Sequence, residues 1–303
     1  MTKNVKPSLI FFGSGPVAAA SLSLLKDTFD FEAVVTKSTT EHELKTVSGG
    51  IPVYCVSDKN ELDALFTTVN FTSNLAILID FGIIVSNKII DHFERGIINS
   101  HFSLLPELRG ADPISFAILE GKKSTGVSLM LLVEAMDEGP ILSQVQLSLD
   151  GNETTPSLTD GLVKLSAEQL EEAVPRWING EIKTIAQDAI ITPTPVVPSY
   201  TRKLMKSDGL IDWNKPALQL EREVRAYAGW PKSTTRFSTI DCVITGVTVL
   251  KTEGEVNKLF IQDKKLGVYC GKQALLIDTL KPAGKNEMDS TAFLAGYRTR
   301  LGL

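Results

Sequence analysis

Over its first 150 residues the chain alternates short aliphatic or β-branched runs with longer stretches of mixed apolar and polar residues. The runs at 9–12, 33–36, 75–80, 97–101 and 126–133 have the length and composition of strands. Between the first two, residues 17–25 are rich in Ala and Leu and predict a helix that opens just after Gly13, Ser14, Gly15 and Pro16, where the fixed φ of proline is tolerated. Further helices are expected at 86–94, at 113–120 ahead of Gly121, and at 158–178, where Leu158, Leu162, Leu165, Leu170, Val174 and Ile178 recur at helical spacing. Strands alternating with helices predict βαβ units and a Rossmann-like, mostly parallel sheet.

The pattern then breaks at Pro193, Pro195 and Pro198, because proline suits neither a helix interior nor a central strand. Residues 191–200 therefore read as a linker, with one domain over 1–190 and a second over 201–303. In the second, a helix at 216–227 precedes short strands at 242–250, 259–262, 267–270 and 274–280, the spacing of a small barrel or sandwich. At 303 residues, 43% hydrophobic and 22% charged, the chain can bury two cores without disulfides or metals. Cys55, Cys242 and Cys270 are odd in number and far apart, so they are expected as buried thiols in a reducing compartment. No apolar stretch reaches the ~18 residues of a membrane span and the amino terminus lacks a signal-peptide core, so a cytoplasmic protein is expected.

Charge divides along the same border. The whole chain carries a net −5, yet residues 200–303 hold 17 Lys+Arg against 11 Asp+Glu, leaving 14 against 25 for the rest. A basic half joined to an acidic one hints at a polyanionic partner for the basic half, although ordinary surface charge gives the same count.

Of three histidines, His42 falls in a polar, looped stretch, and His92 on the helix expected at 86–94. His101 differs: it ends a strand, and in open α/β sheets ligands bind beyond the carboxyl ends of strands. Asn99, two residues earlier, points to the same side. Asp137, in the turn after the strand at 126–133, could orient an imidazole and raise its pKa, and an Asn amide can donate to an oxygen that becomes negative in a tetrahedral intermediate. Such a trio suits acyl transfer without an enzyme nucleophile. The same residues also describe a capped strand end followed by an Asp-Gly turn.

The run Asn99-Ser100-His101, then Ser103-Leu104-Leu105-Pro106, Arg109-Gly110-Ala111-Asp112-Pro113, Thr125-Gly126-Val127 and Met136-Asp137-Glu138-Gly139, resembles the signature of the tetrahydrofolate-dependent formyltransferases. The resemblance implies that Asn99, His101 and Asp137 form the catalytic trio. It implies 10-formyltetrahydrofolate as co-substrate, no metal, and a folate pocket bordered by Ser103, Leu104, Leu105 and Pro106 and drawing on Phe81 and Gly82. The Gly13 to Gly15 turn lacks the full dinucleotide fingerprint and reads as a tight strand-to-helix connection.

Several enzymes of that family share the catalytic half, so the second half decides among acceptors. Tyr200-Thr201-Arg202-Lys203-Leu204, Ile211-Asp212-Trp213, Leu220-Glu221-Arg222, Val224-Arg225-Ala226, Trp230-Pro231 and Leu280-Lys281-Pro282-Ala283-Gly284-Lys285 resemble the carboxy-terminal domain of the branch that formylates initiator Met-tRNA for translation initiation. This implies an OB-like barrel with a basic surface facing tRNA, and a monomer. Lys203, Lys206, Arg222, Arg225, Lys281 and Lys285 are the candidate phosphate contacts, while Trp213 and Trp230 are expected as core anchors. An amino-sugar N-formyltransferase using the same trio is the alternative, and a tRNA-binding protein without turnover a more distant one. Four departures bear on substrate contacts: residues 37–50 are short where the tRNA branch has a long basic insertion, with Lys37 and Lys45 their only Lys or Arg, Phe102 stands where a glycine is common, Glu107 where a basic residue is frequent, and Asp80-Phe81-Gly82 where a small residue, Tyr and Gly are more usual.

Overall fold

The computed structural model describes residues 8–190 and 197–303. Its elements begin with β1 (Ser8–Gly13), α1 (Gly15–Leu25), β2 (Asp30–Lys37), α2 (Glu41–Val47), β3 (Val53–Val56), α3 (Lys59–Thr68), β4 (Ala76–Ile79), α4 (Asn87–Ile90) and β5 (Ile97–His101). There follow β6 (Arg109–Gly110), α5 (Pro113–Leu119), β7 (Ser124–Leu131), β8 (Ile141–Ser148), α6 (Thr155–Ile178) and β9 (Tyr200–Thr201). The remainder comprises α7 (Ala217–Ala226), β10 (Ser233–Phe237), β11 (Ile240–Leu250), β12 (Leu259–Gln262), β13 (Lys265–Tyr269), β14 (Ala274–Pro282), β15 (Met288–Asp289) and α8 (Ser290–Leu301).

Contacts divide the chain into two compact units. The first takes residues up to Gly110, Ser124–Ser148 and Thr159–Thr201; the second takes Ala111–Lys123, Leu149–Leu158 and Arg202–Leu303. The first unit holds a seven-stranded sheet in the order β3-β2-β1-β4-β5-β7-β8. β1 to β5 pair in parallel, whereas β7 runs antiparallel to both β5 and β8. Strands buried on both faces need apolar side chains throughout, which is why β1 and β4 read as near-continuous aliphatic and aromatic runs. Their core is aromatic: Phe12 packs edge-on to Phe81 and Phe93, at 5.4 and 6.0 Å between ring centroids.

The second unit carries an antiparallel sheet in the order β10-β11-β14-β13-β12, with β15 on β14. Register shifts around Gly246 interrupt the β11–β14 ladder and bend the strand. Trp213, stacked on Phe237 at 6.2 Å, anchors the core beneath it together with Leu220, Val268, Ile277 and Phe293.

Several expectations are corrected. His42 lies on α2, exposed, where the i,i+4 pair Glu41–Lys45 supports a helix the polar run conceals. The helix expected at 86–94 stops at Ile90 because the next backbone bonds tighten to i→i+3 spacing, His92 N to Ile89 O and Phe93 N to Ile90 O. Cys55 is half-buried, while Cys242 and Cys270 are buried, and all three are free. Trp230 is 55% exposed and no core anchor: the turn closed by Lys232 N donating to Tyr227 O puts Pro231 inside and turns the indole out. α3 was missed although Asp58 caps it, accepting from Asn60 N and Glu61 N, with Glu61 reaching back to Ser57 N. Of the Pro-rich stretch, 191–196 lies outside the described residues.

One ion pair of the second unit gives a pH signature. Arg202 spans the Asp208 carboxylate at 2.7 Å to each oxygen, and this hydrogen bonding, with help from Met205 N, pulls the Asp208 pKa from 3.8 to about 2. A pKa lowered by folding contributes stability that is complete above the unfolded value and is lost as pH falls through the folded one. Thermal melts should therefore show Asp208→Asn losing stability relative to the wild type near neutral pH, with the gap closing between about pH 4 and pH 2; a pH-independent gap would contradict this.

Candidate active site

The carboxyl end of β5 is where the sheet turns from apolar to polar. Ile97 and Ile98 belong to the core, while Asn99, Ser100 and His101 are also buried and must find partners. Ser100 faces away and shares a 2.7 Å hydrogen bond with Ser166 of α6. Asn99 and His101 face the loop after β7, where Asp137 sits. The Asn99 amide donates to Asp137 Oδ1 at 3.4 Å, a long bond, and His101 Nδ1 lies 3.7 Å from Asp137 Oδ2.

The other imidazole nitrogen settles the tautomer. His101 Nε2 is 2.9 Å from Leu108 O, and a carbonyl only accepts, so Nε2 carries the proton. Nδ1 is left facing a carboxylate across a gap too wide for a direct hydrogen bond.

Asp137 itself occupies the left-handed region, with φ of 55°. Three contacts hold it there. Gly110 N donates to Oδ2 at 2.7 Å, and the side-chain amide of Gln187 donates to the carbonyls of Asp137 and Gly139 at 2.7 and 2.9 Å. The turn also needs Gly139, where a Cβ would come within 1.7 Å of Leu131 O. Gln187 is fixed in turn by Arg109, whose Nε and a terminal nitrogen donate to Gln187 Oε1 at 3.1 and 2.8 Å. Arg109 is buried, pairs with Glu138 at 3.0 Å, donates to Tyr200 Oη at 2.8 Å and lies 5.5 Å from the centroid of that ring. Tyr200 donates onward to Glu138 at 2.6 Å.

The loop between β5 and β6 is pinned from below. Ser128 donates to Ser103 O at 2.6 Å and accepts from Leu105 N and from Gln144, which also donates to Leu105 O. Ser103 closes the loop by donating to Glu107 O at 2.6 Å. Ser103, Leu105 and Pro106 are buried in this arrangement, and only Leu104 keeps a half-exposed side chain. Phe81 turns its ring into the core against Phe12, while Gly82 follows it with φ of 66°. Ser14 donates to Phe81 O at 2.9 Å and ties the β1–α1 turn to that loop. Asn87 donates to Glu134 at 3.0 Å, linking the segment after β4 to the one after β7, and the two carry the exposed apolar side chains Ile84, Val133 and Met136.

The structure thus brings Asn99, His101 and Asp137 together. The basic candidates are spread over the second unit: Lys203 and Lys206 are exposed ahead of α7, Lys281 and Lys285 are exposed on β14 and just beyond it, and Arg222 is half-buried on α7. Arg225 is engaged inside the fold, bonded to both oxygens of Glu221 and to Glu153 O. Sequence reasoning passed over Gln187, which sits in a 3-10 turn over Gln187–Ala189 with no periodic or motif signal. Arg109 and Tyr200 carry a sequence signal only as parts of the motifs that resemble the family's.

Residues 32–174 match the formyl transferase family, and residues 203–298 the formyl transferase carboxy-terminal domain. The methionyl-tRNA formyltransferase of Listeria innocua is 30% identical over 302 residues, covering 95% of both chains. Among solved structures, the N-formyltransferase of Helicobacter canadensis in complex with folinic acid and dTDP-3-aminofucose superposes with a TM-score of 0.65 at 17% identity, over 89% of this chain and 98% of that one. HypX of Aquifex aeolicus in complex with tetrahydrofolic acid gives a TM-score of 0.64 at 13% identity over 97% of this chain and 48% of HypX, so this chain spans about half of HypX. At such identities the two structures speak for the fold alone.

Removing the Gln187 brace should loosen the Asp137 turn. Gln187→Leu strips a donor from two carbonyls and an acceptor from buried Arg109 while keeping the volume, so urea unfolding should show a loss of about 2–4 kcal/mol. A loss below about 0.5 kcal/mol would mean that the turn is held by other contacts.

Proposed function

The chain belongs to the formyl transferase family, and from that premise we propose that it transfers the formyl group of 10-formyltetrahydrofolate to the amino group of methionyl initiator tRNA, supporting translation initiation. The observation that carries this reading is the extent of the match to a methionyl-tRNA formyltransferase, 95% of both chains, which runs through the basic second half as well as the site. An amino-sugar acceptor has only fold-level support, from a superposition at 17% identity.

The donor supplies an activated formyl carbon. The exposed apolar side chains Ile84, Val133 and Met136, with Leu104 nearby in sequence to His101, offer the kind of apolar lip against which a flat heterocycle packs. The backbone around Ser103, Leu104, Leu105, Pro106, Phe81 and Gly82 would border it. Attack by the amine puts negative charge on the formyl oxygen and positive charge on the nitrogen. The long bond from Asn99 to Asp137 is a weak one to give up, so the Asn99 amide can turn its donor to the oxyanion. His101, held at Nε2 by Leu108 O and facing Asp137 through Nδ1, adds positive charge beside the same oxygen once protonated. Asp137, with one oxygen fixed by Gly110 N, can take the proton lost by the amine, directly or through a water; the intermediate then collapses, the oxyanion reforms the carbonyl, and the bond from the formyl carbon to the folate nitrogen breaks, that nitrogen taking up a proton as tetrahydrofolate leaves.

The domain over 1–190 carries catalysis and folate binding, with 191–200 as linker. The domain over 201–303 binds tRNA, with Lys203, Lys206, Arg222, Arg225, Lys281 and Lys285 as the phosphate-contact candidates, the guanidinium of Arg225 being partly committed to Glu221. Among the described residues no helix is long and apolar enough to cross a membrane, and the protein is proposed to act as a cytoplasmic monomer.

Asn99→Ala and His101→Ala should each lower kcat by about 10²- to 10³-fold, the scale of losing one oxyanion donor, while tRNA affinity stays within about two-fold of wild type. Wild-type turnover in both variants would remove the trio from the mechanism. Raising salt from about 50 to 200 mM should weaken tRNA binding steeply, as counterion release requires; a flat response would argue against a basic docking surface.

A further inference from the structure

The second unit contains a cavity of about 680 Å³ between α5, the segment at 202–210 and α7. It is polar and charged, and its charges are almost all spent. Asp208 is bound by Arg202, Glu223 by Lys215 at 2.7 Å, and Glu120 by Lys122 at 3.5 Å. Arg222 has no carboxylate within ion-pair distance among the described residues. Its guanidinium lies over Gly121, where a Cβ would come within 2.2 Å of it and where φ of 63° favours glycine. A second group is also left over. Tyr227 is only 6% exposed and lines the cavity, and its hydroxyl has no hydrogen-bond partner among the described residues. Burial, reinforced by Glu223 and Asp208, pushes its pKa up to about 12, so it remains a donor. Phe116, Leu119 and Leu210 supply an apolar side.

We propose that this cavity is a nucleotide subsite for the RNA substrate, in which Arg222 and the Tyr227 hydroxyl hold one backbone phosphate and the Phe116–Leu119 side packs the adjoining ribose or base. The proposal rests on the tRNA reading above and deepens it. One surplus positive charge matches the single negative charge of a phosphodiester, whereas a free nucleoside monophosphate brings nearly two and would find only one unpaired cation. The two donors differ in kind, which makes the site separable by experiment: a guanidinium contact releases counterions and a neutral hydroxyl contact does not.

The test measures direct binding of initiator tRNA to the full chain, without folate, over a salt series, for wild type, Arg222→Gln, Arg222→Lys and Tyr227→Phe. Arg222→Gln should make the slope of log affinity against log salt shallower by roughly 0.7 to 0.9, one phosphate's worth. Arg222→Lys should keep the slope, and Tyr227→Phe should weaken binding about five-fold with the slope unchanged. A merely structural role for either residue would not move the slope by one contact in one variant and spare it in the other. Wild-type slope and affinity in Arg222→Gln and Tyr227→Phe, with wild-type formylation intact, would overturn the subsite and leave the function standing. A wild type that neither binds nor formylates initiator tRNA would overturn both. Binding of adenosine 5′-monophosphate well below millimolar concentration, lost in Arg222→Gln, would overturn the RNA assignment in favour of a free nucleotide.

Discussion

Asp137 is held in a backbone conformation that costs an ordinary L-residue about 1 kcal/mol or more, and the candidate site depends on what keeps it there. Gly110 N grips its carboxylate, Gln187 grips its carbonyl and that of Gly139, and Arg109 orients Gln187. Because Arg109 and Gly110 form β6 and pair with Tyr200 and Thr201 of β9, the carboxylate is located by strands distant in sequence from the loop that bears it. Asn99 and His101 arrive from β5, a strand whose position is set by the sheet core. The trio is thus built between a rigid strand end and a braced turn, which fixes where its members sit while the long Asn99–Asp137 bond leaves the amide free to turn.

The chemistry at the strand end follows from the same geometry. The Leu108 carbonyl fixes the imidazole tautomer, and the 3.7 Å separation between His101 and Asp137 leaves room for adjustment as charge develops. The Asn99 amide is held only by a 3.4 Å bond. Around the cavity of the second unit the opposite condition prevails: Asp208 and Glu223 are tied to bases in pairs, while Arg222 and the Tyr227 hydroxyl have no such partner among the described residues.

The sheet was legible because β1 and β4 are buried on both faces and must be written in aliphatic and aromatic residues. α2 and β3 escaped notice because their side chains are mostly half-buried or exposed and show no strong periodicity. That Asn99, His101 and Asp137 come together was legible through their motifs and through their places at a strand's carboxyl end and in the turn after β7. Gln187 was not: it lies in an irregular segment, and its meaning exists only once the chain brings it against Asp137. Trp230 misled because an indole beside a proline looks like a core anchor, whereas here the proline is inside and the indole is outside.

The most direct measurement is formyl transfer from 10-formyltetrahydrofolate by the wild-type chain, with initiator Met-tRNA, elongator Met-tRNA and an amino-sugar nucleotide compared as acceptors at low and moderate salt. The account requires fast, salt-sensitive transfer to initiator Met-tRNA and little to the others. Transfer to the amino sugar alone would contradict it, leaving the fold and the trio in place but assigning them a different acceptor.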